Sequence, residues 1–174
     1  MSTSTLPEER LGTLLCETDD TLAVAESCTG GLVASRVTDI PGSSAYFDRG
    51  VVTYSNEAKQ QSLGVSREAL DTHGAVSAPV AREMAAGVRD TAGTTWGVST
   101  TGIAGPGGGT DSKSVGTVYI GVAYAAPWGT ESSTVEASRY VFDGDRSERK
   151  EAFATQALTD LLRAIENRDA FADD

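Results

Sequence analysis

The sequence predicts an α/β fold: a three-layer α/β/α sandwich around a mixed, mostly parallel sheet. Three observations carry that prediction. Short apolar runs such as Leu22-Ala23-Val24 alternate with amphipathic helical segments, the pattern of strands covered by helices on both faces. Polar or glycine-rich segments follow three of those runs, as expected where parallel strands hand over to helices. Near the C-terminus, two longer runs flank Pro127-Trp128-Gly129, which reads as an antiparallel hairpin. At 174 residues the chain suits one well-buried domain, taken as 1–174, and neither a repeat nor a linker divides it.

Taken in order, residues 7–17 read as a first helix, with Leu11, Leu14 and Leu15 on one face. Residues 21–25 form a buried strand and 31–38 the following helix, and Pro41-Gly42-Ser43-Ser44 makes a turn. The run Arg49-Gly50-Val51-Val52-Thr53-Tyr54 is a second strand, and Ser55 with Glu57 opens a helix that Gly64 ends. A short helix over 66–73 stops at Gly74. Ser77 and Pro79 then start an amphipathic helix carrying Val80, Met84 and Val88. Residues 94–101 are a third strand, 102–109 a loop with five glycines, and 114–125 and 132–142 the hairpin strands. The last helix spans 146–167, with Phe153, Ala157, Leu158, Leu161, Leu162 and Ile165 turned to the sheet.

Composition narrows the function. With 14 Lys+Arg against 25 Asp+Glu the net charge is −11, which argues against nucleic acid or an anionic membrane as partner. An anionic substrate therefore needs a local device, a backbone nest or one or two arginines. Of the basic residues only Lys59, Lys113 and Lys150 are lysine, and with acids spread along the chain this reads as a surface adapted to high salt. Cys16 and Cys28 cannot build a disulfide framework and offer no zinc spacing. His73 is the single histidine, so a His-rich metal site is excluded, leaving only acidic oxygen ligands for an ion such as Mg²⁺. No metal or cofactor is expected. The segment Ser2-Thr3-Ser4-Thr5-Leu6-Pro7 lacks the basic and apolar parts of a secretory signal, and no run approaches the roughly 20 apolar residues of a membrane span. The expectation is a soluble, cytoplasmic protein, and a homo-oligomer.

The most informative stretch is Ala25-Glu26-Ser27-Cys28-Thr29-Gly30-Gly31. A strand ends, a hydroxyl follows, and two glycines turn the chain into a helix. That layout places Ser27 near a helix N-terminus, where unpaired N–H groups and the dipole favour developing negative charge. A nucleophile would suit such a place, and so would a simple N-cap serine. Ligands in such folds bind beyond the C-terminal ends of the strands, and the segments 27–31, 54–59 and 101–109 all lie there.

A serine nucleophile needs a base. His73 sits in a helix-end context and reads better as a surface or capping residue. Lys59, one turn into the helix after the second strand, is the better candidate, against the alternative of an exposed lysine paired with acids. As a base it must be neutral, which burial, or positive charge from Arg49 or a cationic substrate, would favour. The stretch Thr101-Gly102-Ile103-Ala104-Gly105-Pro106-Gly107-Gly108-Gly109 lacks Walker A spacing, but its N–H groups could surround a phosphate; a flexible loop is the plain alternative. Bulk at Gly105 is expected to block that approach. Arg146 is a candidate phosphate ligand or, equally, part of a capping-region salt bridge.

These segments, together with Gly42-Ser43-Ser44, Arg49 to Lys59, His73-Gly74-Ala75-Val76-Ser77 and Val115-Gly116-Thr117-Val118, recur in order and resemble the CinA C-terminal domain family from about residue 11 to 162. The family includes amidohydrolases that convert nicotinamide mononucleotide to its nicotinic acid form and ammonia. The resemblance implies a serine amidohydrolase centred on Ser27 and Lys59 with Tyr54 beside them. Thr29, Gly30 and Gly31 complete the first motif, and Thr101, Gly102, Gly105 and Pro106 form the second loop. The N-terminal molybdopterin-binding-like domain often fused in the family has no room here, so a stand-alone deamidase is expected, with Tyr54 orienting the Ser27–Lys59 relay. N–H groups of residues 28–30 would serve as oxyanion donors. The competing expectation is a non-catalytic nucleotide- or phosphate-binding module acting through a protein partner in competence or DNA-damage response.

Overall fold

A computed structural model describes residues 5–172; Met1-Ser2-Thr3-Ser4, which the signal-peptide reading used, and Asp173-Asp174 lie outside the described residues. Among the described residues the chain forms six α-helices and five strands: α1 (Pro7–Thr18), β1 (Leu22–Glu26), α2 (Leu32–Thr38), β2 (Phe47–Val52), α3 (Asn56–Leu63), α4 (Arg67–His73), α5 (Ala78–Ala92), β3 (Trp96–Gly102), β4 (Thr117–Tyr124), β5 (Thr134–Val141) and α6 (Arg146–Ala172). The order and type of elements match the sequence reading. The strands make one sheet, β2-β1-β3-β4-β5, parallel from β2 through β3 and antiparallel across β3-β4-β5. Only β4 runs against the rest, so the sheet is mixed but mostly parallel in direction.

Alternation along β1 builds the two cores. Leu22 and Val24 join Leu11, Leu15, Val33, Val37, Phe153 and Leu158 beneath α1, α2 and α6. Ala23 and Ala25 point the other way, toward Leu63, Leu70, Val80, Met84 and Val88 of α3, α4 and α5. On that second face the residues are small, and α5 comes close. A Cβ at Gly97 would lie 2.3 Å from the Ala85 carbonyl oxygen, and one at Gly121 2.3 Å from that of Ala81. Ser99 donates its hydroxyl to the same Ala81 carbonyl at 2.6 Å.

Side-chain caps fall where the sequence places them at Ser55 and Ser77, and Ser66, read as the first residue of its helix, caps it too: the three accept from the N–H groups of Ala58, Ala69 and Val80. Two details differ. The residue before α2 is Gly31, at φ 103, rather than Ser27, so the glycine pair makes the turn after the serine. On α6, Ala154 is buried and Leu162 only half-buried. At about 100° per residue, Phe153, Ala154, Ala157, Leu158, Leu161 and Ile165 form one stripe, and Leu162 falls at its edge.

Candidate active site

β1, β2 and β3 end side by side, and their ladders continue one step further. Thr53 donates its N–H to Glu26 O at 2.8 Å, and Ser27 donates its N–H to Thr100 O at 3.1 Å. Beyond that step the three chains diverge, opening a cleft of about 300 Å³. Ser27, Tyr54, Lys59, Thr101 and Arg146 line it together with the glycine-rich loop.

Ser27 is half-buried, and Gly30 closes the turn behind it by donating to the Ser27 carbonyl at 3.1 Å. Lys59 reaches it from the first turn of α3. Its Nζ donates to Ser27 Oγ at 3.1 Å and to the Thr53 carbonyl at 2.8 Å. The side chain is 2% exposed, and burial holds the amine below the ordinary lysine value. Among the described residues it makes no ion pair. A neutral amine can accept the Ser27 proton, and the Thr53 carbonyl holds it in place to do so. Cys28, next in the chain, has its thiol pushed up to about 12, chiefly by burial, so it is no thiolate nucleophile at neutral pH.

Glu26 was quoted in the sequence motif without a role. Its buried carboxylate accepts from the N–H groups of Val33 and Ala34, at 2.9 and 3.1 Å, and from the Thr29 hydroxyl at 2.6 Å. It therefore fills the N-terminus of the short helix α2, and the dipole that was expected to favour charge at Ser27 is satisfied from within. The available signal was an acid at the last position of an apolar strand just ahead of a helix start.

The remaining candidates separate. Tyr54 is 63% exposed at the cleft rim, and its hydroxyl accepts from Arg146 at 3.2 Å, not from Ser27 or Lys59. The second partner of Lys59 Nζ is the Thr53 carbonyl rather than Tyr54. Arg146 also donates to Gly105 O at 2.7 Å, and Arg149 to Ala104 O at 3.2 Å, so two arginines from α6 hold the inner leg of the loop. Thr101 lines the cleft but donates its hydroxyl to Ala75 O at 2.8 Å. Gly102 and Gly105 line it too, with Gly105 joined to Pro106 through a cis bond. A Cβ on Gly105 would meet Val115 Cγ1 at 2.4 Å and Arg149 Nη1 at 2.8 Å, so bulk there would unseat the loop against its own support.

Thr29, Gly30 and Gly31 face a different depression, of about 380 Å³, shared with Ser35, Ser147 and Lys150. Thr29 is buried and spends its hydroxyl on Glu26 and Thr100. Arg49 stands on the edge strand paired with Asp48 and is not among the cleft-lining residues. His73 is exposed and not among the cleft-lining residues, and its carbonyl accepts from Lys113 Nζ at 2.6 Å. Among the described residues no cluster of three or more His, Cys, Asp or Glu could hold a metal, and no helix is long and apolar enough to cross a membrane.

Comparison with known proteins places this geometry in context. The family model for the CinA C-terminal domain matches residues 5–165. A CinA-like protein of Chlorobaculum tepidum is 55% identical over 155 residues, which cover 89% of this chain and 36% of that protein. One from Chloroherpeton thalassium is 53% identical over 167 residues, covering 95% and 39%. The chain thus spans well under half the length of these curated relatives. Among solved structures, the competence/damage inducible protein CihA from Agrobacterium tumefaciens superposes with a TM-score of 0.84 at 39% identity, over 92% of this chain and 93% of that one. A CinA superfamily protein from Enterobacter cloacae gives 0.85 at 31% identity, over 95% and 96%.

Proposed function

The chain belongs to the CinA C-terminal domain family, and from that premise we propose that it hydrolyses the carboxamide of nicotinamide mononucleotide to nicotinate mononucleotide and ammonia. The observation that carries the reading is the buried Lys59 amine, 3.1 Å from Ser27 Oγ and held below its ordinary pKa by burial. A lysine kept only for structure would be paired or exposed; this one costs stability and faces a hydroxyl.

In the proposed reaction Ser27 Oγ bonds to the amide carbon while its proton passes to Lys59 Nζ. The carbon–nitrogen bond breaks, Lys59 returns the proton to the departing nitrogen, and ammonia leaves a serine ester. Water then adds to the ester carbon, giving its proton to Lys59. The ester bond breaks, Ser27 recovers the proton, and the carboxylate product is released. Gly30 already spends its N–H on the Ser27 carbonyl and Thr29 faces the other depression, so the proposed oxyanion donor is the N–H of Cys28, which lines the cleft, an interaction worth about 3 kcal/mol. Arg146, with donors beyond those given to Gly105 and Tyr54, is the proposed phosphate ligand, aided by the backbone around Gly107 and Gly108.

The test is ammonia release from nicotinamide mononucleotide and from its riboside by purified protein in molar KCl. Turnover of the nucleotide with a much poorer riboside is expected. A folded protein that binds the nucleotide and releases no ammonia would instead favour the non-catalytic binding module.

A further inference from the structure

The cleft has a charge pattern that bears on what it can recognise. Fifteen residues line it, among them the basic Lys59 and Arg146 and neither Asp nor Glu, in a chain with 25 acidic residues and a net charge of −11. Both stand without a carboxylate there: Lys59 faces Ser27 Oγ and the Thr53 carbonyl, and Arg146 faces the Gly105 carbonyl and the Tyr54 hydroxyl. Between them Ala75, Val76, Ile103 and Ala104 present apolar surface suited to a flat ring.

A site that reads a fixed positive ring charge does so with a carboxylate or an aromatic cage. A carboxylate here would work against the chemistry in two ways. It would stabilise the Lys59 ammonium and so remove the base, and it would repel an anionic phosphate. One aromatic ring, Tyr54, lines the cleft, and its hydroxyl is already engaged by the Arg146 cation. A lining that keeps carboxylates away from Lys59 therefore leaves no counter-charge for a pyridinium.

Resting on the amidohydrolase reading, we propose that the cleft recognises the phosphate and the carboxamide of its substrate but not a positive ring charge. Its ligand class is then the phosphorylated ribosides of flat aromatic carboxamides, with neutral or cationic rings. The pyridinium charge contributes to rate, by withdrawing electrons from the amide carbon, and not to affinity. For a neutral ring the same bonds form and break, more slowly: Ser27 to carbonyl carbon, carbon to nitrogen, then water to the ester.

The experiment compares nicotinamide mononucleotide with benzamide riboside 5′-phosphate, in which a ring carbon replaces the charged nitrogen and the shape is kept. Binding is measured on Ser27→Ala by calorimetry at one fixed KCl concentration, and turnover on the wild type by ammonia release. Dissociation constants within about threefold of each other, or tighter for the neutral ring, are expected, with a lower kcat for benzamide at similar KM. Binding of the neutral ligand more than about tenfold weaker would overturn the proposal. So would a loss in Tyr54→Leu confined to the pyridinium ligand, which would make Tyr54 the reader of ring charge. Failure of the wild type to release ammonia from nicotinamide mononucleotide is a different result, and it strikes the amidohydrolase reading itself.

Discussion

A lysine amine sealed from water is disfavoured as an ammonium, and at Lys59 that cost has a measurable sign. In the unfolded chain the side chain holds its proton up to about pH 10.4, and in the fold it loses it at lower pH. Between those values the unfolded state binds more protons, so stability rises with pH. Lys59→Met removes that dependence: its melting temperature relative to wild type should be highest near neutrality and fall relative to it as pH approaches 10. A constant gap across that range would mean the amine is not destabilised. At Glu26, exchange for glutamine turns one acceptor into an NH₂ that confronts the N–H of Val33 or Ala34. A positioning role predicts a kcat lower by about tenfold or more at nearly unchanged KM. Equal kcat in a folded Glu26→Gln variant would leave Glu26 a purely structural cap. That segments 27–31 and 54–59 meet was legible in the sequence because both follow strand ends, whereas pairing Ser27 with Lys59 also needed the resemblance to the CinA C-terminal domain family. Tyr54 and Thr29 were not legible in the same way. Which side of a turn each faces is decided by partners distant in sequence, Arg146 for the one and Thr100 for the other.

At the scale of elements, two contacts matter most: α5 against the sheet and the glycine loop against α6. Gly121→Ala would press a methyl into the Ala81 carbonyl, a backbone atom that cannot yield without moving α5. A loss of about 1–3 kcal/mol is expected, read as a lower midpoint in thermal or urea unfolding. An unchanged midpoint would show that α5 can shift freely. The loop offers a contrast, because a Cβ on Gly107 meets nothing within 4 Å whereas one on Gly105 meets Val115 and Arg149. Gly107→Ala should leave stability intact and raise KM for the mononucleotide but not the riboside. A rise shared by both would place the loop's role in shaping the pocket rather than in holding phosphate. Strands, caps and the hairpin were readable because each rests on local periodicity or a Ser, Gly or Pro signal. The start of α2 was readable to within one residue, but its cap was not, because Glu26 reaches across the turn to fill the helix N-terminus in place of Ser27.

For the whole molecule, an excess of 11 negative charges on so small a chain makes self-repulsion a standing cost. Screening should relieve it, so the melting midpoint is expected to climb from low to molar KCl, and equal midpoints would show that the acid excess is no adaptation to salt. Against that excess, the proposed cleft is a local exception, lined by the basic Lys59 and Arg146 and by no Asp or Glu. That cleft, the hydroxyl of Ser27 and the buried amine beside it support one proposal, that the serine forms the covalent bond. The measurement that tests it most directly is ammonia release from nicotinamide mononucleotide by Ser27→Ala and Cys28→Ala, side by side with wild type in molar KCl. The account predicts a fall of about 10³-fold or more for Ser27→Ala with nucleotide binding retained, and near-wild-type turnover for Cys28→Ala. Turnover surviving in Ser27→Ala and lost in Cys28→Ala would contradict it and pass the chemistry to the thiol.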